Sequence, residues 1–257
     1  MATILDIALV QSEIFWHNPE NNRRHFASLI DGIDKKVDLI VLPETFTTGF
    51  TMTPSEIDPS EGNRTLTWMK EVAREKRAAI AGSIPFFEGG KYTNRLLFVE
   101  PDGKSHHYDK RHTFTLAGEH RSYARGESKV LIEYCGFRIC PMICYDLRFP
   151  VWTRNTEDYD LLFFVANWPK PRIDAWDTLL KARAIENMAY CIGVNRVGTD
   201  DNGYEYVGHS ACYDPLGHRV AFSDRDEVLY VKLDKSRIKE VRDQLRFLDD
   251  RDEFILQ

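Results

Sequence analysis

The sequence has no long apolar run: no segment approaches the roughly 18 consecutive apolar residues that a membrane-spanning helix requires. Its first residues, MATILDIALVQ, have no basic region and no small-residue cleavage site, so they are typical of a strand rather than a secretory signal. These absences predict a cytoplasmic protein with no membrane partner.

Cysteine is also scarce. Five cysteines in 257 residues, an odd number, do not suggest a disulfide framework. Cys140 and Cys144 have C-x₃-C spacing, but no second pair of thiols accompanies them, as a structural zinc site would require. The sequence therefore predicts no metal.

Positive charge is not in excess, because the formal net charge is −6 and acidic and basic residues are mixed along the chain. A nucleic-acid-binding protein needs a basic face, so no nucleic-acid partner is expected. With 43% hydrophobic residues, the chain can bury a sizeable core. By length alone, one large domain is as plausible as two. The chain shows no linker, repeat or low-complexity segment, and our prediction is a single domain over residues 1–257.

Short apolar runs alternate with segments of helical periodicity, which predicts an α/β fold with a mixed sheet. So many strands would suit two helix-covered sheets packed together. Pro141 lies inside one predicted strand. Because proline cannot donate a ladder hydrogen bond, it indicates a bulge or an edge there. Strands are predicted near residues 4–10, 37–42, 78–84, 92–100, 104–109, 130–134, 137–143, 161–166, 190–197 and 209–213.

Three chemically useful side chains follow predicted strands directly: Glu44, Lys110 and Cys144. Ligands and catalytic groups in α/β sheets tend to lie just past strand ends. A carboxylate could take the thiol proton, and an ammonium would offset the repulsion between carboxylate and thiolate. Taken singly, each has an ordinary alternative, namely a solvated loop glutamate, a surface lysine or a core thiol. Spacing alone does not choose between these readings.

The segments around these residues resemble the nitrilase superfamily of carbon–nitrogen hydrolases. The similar segments are LPETFTTGF at 42–50, YDKRHTF at 108–114 and ICYDLRFP at 143–150. The stretches AGEHRSYARGE at 117–127 and ANWPKPRIDAWDTLLKARAIEN at 166–187 resemble the omega-amidase branch.

This resemblance implies a four-layer α-β-β-α sandwich of the nitrilase type, paired into a homodimer or a higher homo-oligomer, with no cofactor. It implies hydrolysis of a small-molecule amide through a Cys thioester. In omega-amidases the substrates are monoamides of α-keto dicarboxylic acids, such as 2-oxoglutaramate and 2-oxosuccinamate.

The resemblance also implies roles for individual residues. Cys144 would be the nucleophile, Glu44 the general base and Lys110 an oxyanion donor, while Glu119 would orient the substrate amide and support Lys110. Several residues near the matched segments are candidates for the substrate pocket: Phe46, Phe50, His112, Phe114, Tyr145, Arg148 and Trp168. The candidate cations for a substrate carboxylate are Arg111, Arg148, Lys170 and Arg172, although Arg148 could instead pair with Asp146.

Other functions remain open at this stage. The chain could be another carbon–nitrogen hydrolase, such as an N-carbamoyl amidohydrolase or an aliphatic amidase. It could also be a non-catalytic relative, or a redox sensor that uses Cys144. The presence of Glu44, Lys110 and Cys144 together argues against a relative that has lost its chemistry.

Overall fold

The computed structural model describes residues 3–256, which form two six-stranded sheets, a two-stranded ribbon and several helices. The strands are β1 (Ile4–Gln11), β2 (Leu39–Val41), β3 (Ala79–Glu88), β4 (Lys91–Val99), β5 (Ser105–Asp109), β6 (Ile132–Tyr134), β7 (Phe137–Ile143), β8 (Leu161–Val165), β9 (Tyr190–Val194), β10 (Val197–Thr199), β11 (Glu205–Val207), β12 (Ser210–Tyr213), β13 (Arg219–Ser223) and β14 (Glu227–Asp234). The helices are α1 (Pro19–Asp31), α2 (Glu61–Lys76), α3 (Glu119–Ser122), α4 (Pro150–Thr153), α5 (Ile173–Asn187) and α6 (Lys235–Leu245).

The two sheets have matching topologies. The first has the order β14-β1-β2-β3-β4-β5, and the second has the order β13-β12-β9-β8-β7-β6. In the first sheet β1, β2 and β3 are parallel, and in the second β7, β8 and β9 are parallel. The outer strands of both sheets are antiparallel to their neighbours. The carboxyl ends of the parallel strands therefore form a natural place for a site in each sheet.

Alternating side chains along the first sheet explain its position between two layers. On β1, Leu5, Ile7 and Leu9 face the core shared with the second sheet, whereas Ala8 and Val10 face a separate core. The separate core contains apolar side chains of α1 and α2. A strand with both faces buried in this way lies between a sheet and a helical layer.

Helix α5 covers the outer face of the second sheet. It buries Trp176, Leu180 and Ala184, which recur at helical spacing. Gly193 on β9 permits this close approach, because a Cβ there would lie 2.5 Å from the side chains of Trp176 and Leu180. The four-layer α-β-β-α sandwich expected from the sequence is therefore confirmed.

The sheet edge that Pro141 indicated is present, and Arg183 makes a further contact near it. Pro141 lies in β7 beyond the pairing with β6, which stops at Ile139, so the strand has a free flank there. Arg183 pairs with Glu186 one turn away on α5 at 2.8 Å. It also donates to the carbonyl of Leu147 at 2.6 Å, and so ties α5 to the turn that follows β7.

Sequence reasoning missed β13 and β14. Strand β14 is only half buried at the edge of the first sheet, and its alternation begins just after the charged stretch 224–227. The strand predicted over 190–197 also ends early, at Val194. Asn195 leaves the ladder there, and its side chain donates to the carbonyls of Trp168 and Gly208.

No helix within residues 3–256 is long and apolar enough to cross a membrane.

The contact between the sheets predicts a stability effect at Phe98, which is fully buried on β4 and packs edge-to-face on Tyr134 of β6. Phe98→Ala should lower the free energy of unfolding by about 3–5 kcal/mol, because it opens a cavity between the sheets. Val220→Ala, at a 46% exposed position on edge strand β13, is the control and should change it by less than about 0.5 kcal/mol. Urea denaturation of both variants measures the difference. Equal, small losses would contradict this account of the core.

Candidate active site

Glu44, Lys110 and Cys144 come together although they lie far apart in the sequence. Glu44 follows β2, Lys110 follows β5 and Cys144 follows β7, as the sequence predicted. The Lys110 Nζ atom lies 2.9 Å from the Glu44 carboxylate. The Cys144 thiol lies near the same carboxylate, whose charge adds to burial in raising the pKa of the thiol. The first sheet thus supplies the carboxylate and the ammonium, and the second sheet supplies the thiol.

The backbone at Cys144 is unusual. Cys144 has a φ of +42°, in the left-handed region that non-glycine residues rarely adopt, and it begins a 3₁₀ turn over Cys144–Arg148. Asp146 holds this turn, since its carboxylate accepts the N–H of Ile143 at 3.1 Å. Backbone strain of this kind persists where the surroundings fix it, and such residues cluster at functional sites.

Glu119 completes a buried ion cluster, by which we mean Glu44, Lys110 and Glu119. Lys110 Nζ lies 3.0 Å from each oxygen of the Glu119 carboxylate. All three side chains are at most 1% exposed. A buried cation between two carboxylates is stable only when the hydrogen bonds of each group are satisfied.

Two asparagines that sequence reasoning missed supply these hydrogen bonds. The Asn94 amide donates to Glu44 at 2.8 Å and to Glu119 at 3.2 Å. The backbone N–H of Asn167 donates to the other Glu44 oxygen at 2.8 Å. Asn167 follows β8 and lies at the same edge of the sheets, so its place after a strand could have predicted that it belongs to the site. Asn94 lies inside β4 and carried no such signal.

The charges of the cluster change the acidity of its members. Burial would lower the pKa of Lys110, but the carboxylates of Glu119 and Glu44 outweigh burial and raise it. Burial raises the pKa of the Glu119 carboxyl, and the Glu44 charge adds to this rise while Lys110 opposes it. Burial and the Glu44 carboxylate raise the pKa of the Cys144 thiol well above its usual value. At neutral pH the thiol therefore carries its proton and needs a base in order to attack.

A cavity of about 440 Å³ opens over Cys144 and Lys110. Five of the seven predicted pocket residues line it: Phe50, Phe114, Tyr145, Arg148 and Trp168. Sequence reasoning missed the wall formed by the β10–β11 ribbon and its loop, which contributes Asp200, Asn202, Tyr204 and Tyr206. Because the lining combines aromatic with polar and charged side chains, the cavity suits a small molecule with both apolar and polar groups.

His112 and Phe46 are the two exceptions among the predicted pocket residues. His112 does not line the cavity: its Nδ1 lies 2.8 Å from Asp146, and its ring stacks on Phe149 at 3.7 Å. A direct substrate contact is therefore not supported, and His112 instead braces the turn that carries Cys144. Phe46 also lies elsewhere, since it packs in the core between the first sheet and α1.

The four candidate cations divide into two groups. Arg148 and Arg172 line the cavity. Lys170 instead forms an exposed pair with Glu205 at 2.8 Å, and Arg111 lies over the Trp152 ring. Asp146 accepts from Tyr108, His112 and Ile143 rather than from Arg148, so the alternative of an Arg148–Asp146 pair is not supported. Within residues 3–256, no group of three or more His, Cys, Asp or Glu side chains could hold a metal ion.

The buried ion cluster predicts a pH-dependent stability effect for Lys110→Met. Without the ammonium, the folded-state pKa of Glu119 should rise further above its value in the unfolded chain. A raised folded-state pKa gives stability that is present at low pH and lost as pH rises. The variant should therefore lose about 3–5 kcal/mol near pH 8 and clearly less near pH 5, as measured by chemical denaturation.

The matched control is Lys239→Met, which removes an exposed pair with Asp243 on α6. It should cost only a few tenths of a kcal/mol, about 0.3–0.5, at either pH. A Lys110→Met penalty that did not change with pH would contradict the charge balance described for the cluster.

Comparison with known proteins agrees with this geometry. The profile of the carbon-nitrogen hydrolase family matches residues 6–243. Omega-amidase YafV of Escherichia coli K12 is 44% identical over 98% of both chains. A 2-oxoglutaramate amidase of Bacillus subtilis is 32% identical, over 95% of this chain and 96% of its own length.

Among solved structures, XC1258 from Xanthomonas campestris, described as a CN-hydrolase superfamily protein with an arsenic adduct in its active site, superposes with a TM-score of 0.95. It is 40% identical, and the match covers 99% of each chain. The fold, the strand-end residues and the sequence similarity agree over nearly the whole chain, which belongs to the carbon-nitrogen hydrolase family.

Proposed function

We propose that this protein is an omega-amidase, which hydrolyses the terminal amide of small α-keto dicarboxylic acid monoamides to the acid and ammonia. The expected substrates are 2-oxoglutaramate and 2-oxosuccinamate. The observation that carries the proposal is that Cys144 and Lys110 line one cavity while the Lys110 ammonium contacts the Glu44 carboxylate at 2.9 Å. The relatives named omega-amidase and 2-oxoglutaramate amidase support the substrate class.

In the first half-reaction, the Cys144 sulfur bonds to the amide carbon while Glu44 takes the thiol proton. Because the thiol is protonated at rest, proton transfer to Glu44 has to accompany the attack. The amide oxygen becomes an oxyanion, which the Lys110 ammonium and the backbone N–H of Tyr145 stabilise. Donors aimed at such an oxygen contribute roughly 3–4 kcal/mol in acyl-transfer sites.

To complete the first half-reaction, Glu44 returns the proton to the departing nitrogen. The carbon–nitrogen bond breaks, ammonia leaves and a thioester to Cys144 remains. In the second half-reaction, Glu44 removes a proton from water, whose oxygen bonds to the thioester carbon. The carbon–sulfur bond breaks, and the thiol recovers its proton as the acid product leaves.

Glu119 acts as a positioning residue in this scheme. Its carboxylate contacts Lys110 through both oxygens, and this holds the ammonium in place. Asn94 joins Glu119 to Glu44 through one amide group, so the two carboxylates keep a fixed separation. Glu119 also orients the amide of the substrate, as the family resemblance implies.

The proposal includes the wider expectations from the sequence. Residues 1–257 act as one catalytic domain, the chain works without a cofactor, and it forms a homodimer or a higher homo-oligomer in the cytoplasm. Its partner is a small-molecule amide.

Replacing Cys144 tests the nucleophile directly. Cys144→Ala should reduce ammonia release from 2-oxoglutaramate by at least about 10⁴-fold, because no covalent intermediate can form. Cys135→Ala, which removes an exposed cysteine on the β6–β7 turn, is the control and should retain full activity. An ammonia assay with 2-oxoglutaramate, an N-carbamoyl amide and a simple aliphatic amide also tests the substrate class. Preference for either of the last two would replace omega-amidase by another amidohydrolase.

Replacing Glu44 tests the general base. Glu44→Gln keeps the size of the side chain and an oxygen for Lys110, but it cannot accept a proton. We expect kcat to fall by about 10²–10⁴-fold while circular dichroism shows a folded protein. A Glu44→Gln variant that keeps more than a tenth of the wild-type kcat would remove Glu44 from the proposed role.

A further inference from the structure

Asn167 contributes to the cavity a buried oxygen that has no hydrogen-bond partner. Within residues 3–256, several buried side-chain oxygens and nitrogens have no partner, and of the residues that carry them only Asn167 lines the cavity. The atom without a partner is the Asn167 Oδ1, and the residue is only 4% exposed. A buried acceptor without a donor costs free energy, which a ligand that brings a donor recovers.

The nitrogen of the Asn167 amide fixes the orientation of the side chain. Its Nδ2 atom donates to the Glu44 carbonyl at 2.6 Å and to the Thr45 hydroxyl at 3.0 Å. Turning the amide by 180° would place Oδ1 against the Glu44 carbonyl, where two acceptors repel each other. The free atom is therefore the oxygen, and the partner that it lacks is a hydrogen-bond donor.

The strands place Asn167 beside the thiol. Val165 of β8 pairs with Ile143 of β7 in a parallel ladder. Cys144 and Asn167 therefore follow adjacent strands at the same edge of the sheet, and both line the cavity. Low exposure does not keep a side chain from a ligand here, because Lys110 also lines the cavity although it is only 1% exposed.

The Glu44 carboxylate points to the same asparagine. Its Oε1 atom accepts hydrogen bonds from Lys110 and Asn94. Its Oε2 atom accepts from the backbone N–H of Asn167. Oε2 is therefore the oxygen with more room for the proton that passes to the departing nitrogen, and a nitrogen that receives this proton lies close to Asn167.

The carboxylate in the cavity lining, Asp200, is already occupied. It accepts two backbone N–H groups of its own loop and the Tyr206 hydroxyl. Asp200 thus has its donors within the protein, whereas the Asn167 Oδ1 has none.

We propose that the Asn167 Oδ1 atom accepts a hydrogen bond from the amide nitrogen of the substrate, and that this contact selects amides over esters. The inference rests on the proposed function and extends it, because it assigns a substrate-binding role at the leaving group to a side chain outside the ion cluster.

The chemistry of the leaving group explains the selection. When Glu44 passes its proton to the nitrogen, the nitrogen carries three hydrogens and a positive charge until the carbon–nitrogen bond breaks and ammonia takes the electron pair of that bond. A hydrogen bond from a charged N–H to Oδ1 is stronger than one from the neutral amide, so the contact favours departure. The leaving oxygen of an ester has no hydrogen and faces Oδ1 as acceptor against acceptor.

The test compares an amide with an ester of the same acid. Formation of succinate from succinamate and from monomethyl succinate is measured, and the quantity compared is the ratio of the two kcat/KM values. Asn167→Ala removes Oδ1 and should lower this ratio about tenfold, because only the amide loses a hydrogen bond. An unchanged ratio in a folded Asn167→Ala variant would overturn the inference.

Asn167→Asp separates the oxygen from the anchoring nitrogen. Like Asn167→Ala it removes the amide nitrogen that holds Glu44 and Thr45, but it keeps an oxygen at the Oδ1 position. Its total activity should fall, whereas its ratio should stay within about threefold of wild type. If its ratio falls as far as in Asn167→Ala, the side chain only supports Glu44 and the inference is wrong. This variant also decides the question if Asn167→Ala does not fold.

Thr45→Val is the matched control. It keeps the shape of the side chain and removes the hydroxyl that anchors the Asn167 amide, while Oδ1 remains. Its ratio should stay within about twofold of wild type. A tenfold drop in this variant would mean that disturbance near Glu44, rather than loss of the acceptor, changes the preference.

A binding measurement separates this inference from the catalytic proposal. In the Cys144→Ala background, calorimetry should show that adding Asn167→Ala weakens the binding of succinamate at least about fivefold and that of monomethyl succinate less than twofold. If wild type hydrolysed no amide, the proposed function would fail and this titration would decide the role of Asn167. Equal effects on both ligands would overturn it.

Discussion

The site depends on one interaction, the ion pairing of Lys110 with Glu44 and Glu119. Each of these side chains is buried, and an unpaired charge at such depth would be very costly. The ammonium offsets the repulsion between the two carboxylates, and Asn94 and Asn167 satisfy their remaining oxygen positions. The Glu44 carboxylate therefore lies, with its hydrogen bonds satisfied, near a thiol that carries its proton. A carboxylate near a protonated thiol is an arrangement that suits acyl transfer.

The sandwich fold brings the Cys144 thiol to this ion cluster. Glu44 and Lys110 project from strand ends of the first sheet, whereas Cys144 projects from the second. Only packing of the two sheets face to face brings them together, and Phe98 and Tyr134 are part of that contact. The turn at Cys144 is fixed from two further sides, by Asp146 within the turn and by Arg183 of α5. Stability of the core and geometry of the site are thus linked through the same elements.

Much of this could be predicted from the sequence, for identifiable reasons. Glu44, Lys110 and Cys144 each follow an apolar strand, so their place at a common edge could be inferred from the apolar runs that precede them. Contacts between residues that lie far apart in the sequence were harder to predict. Asn94 is a polar residue within a strand, and no local pattern shows that it faces two carboxylates. His112 lies in a matched segment, yet Asp146 and Phe149 hold it outside the cavity. Strands β13 and β14 were missed because edge strands bury too little to show a clear alternation.

The covalent intermediate on Cys144 is the central claim, and a competing nucleophile tests it most directly. Succinamate has no keto group to react with hydroxylamine, so it can be hydrolysed by the wild-type enzyme with hydroxylamine present. Hydroxylamine should intercept the thioester, and succinyl hydroxamate should form in proportion to its concentration while ammonia release continues. Continued ammonia release without any hydroxamate would mean that water attacks the amide directly, and would contradict the role given to Cys144.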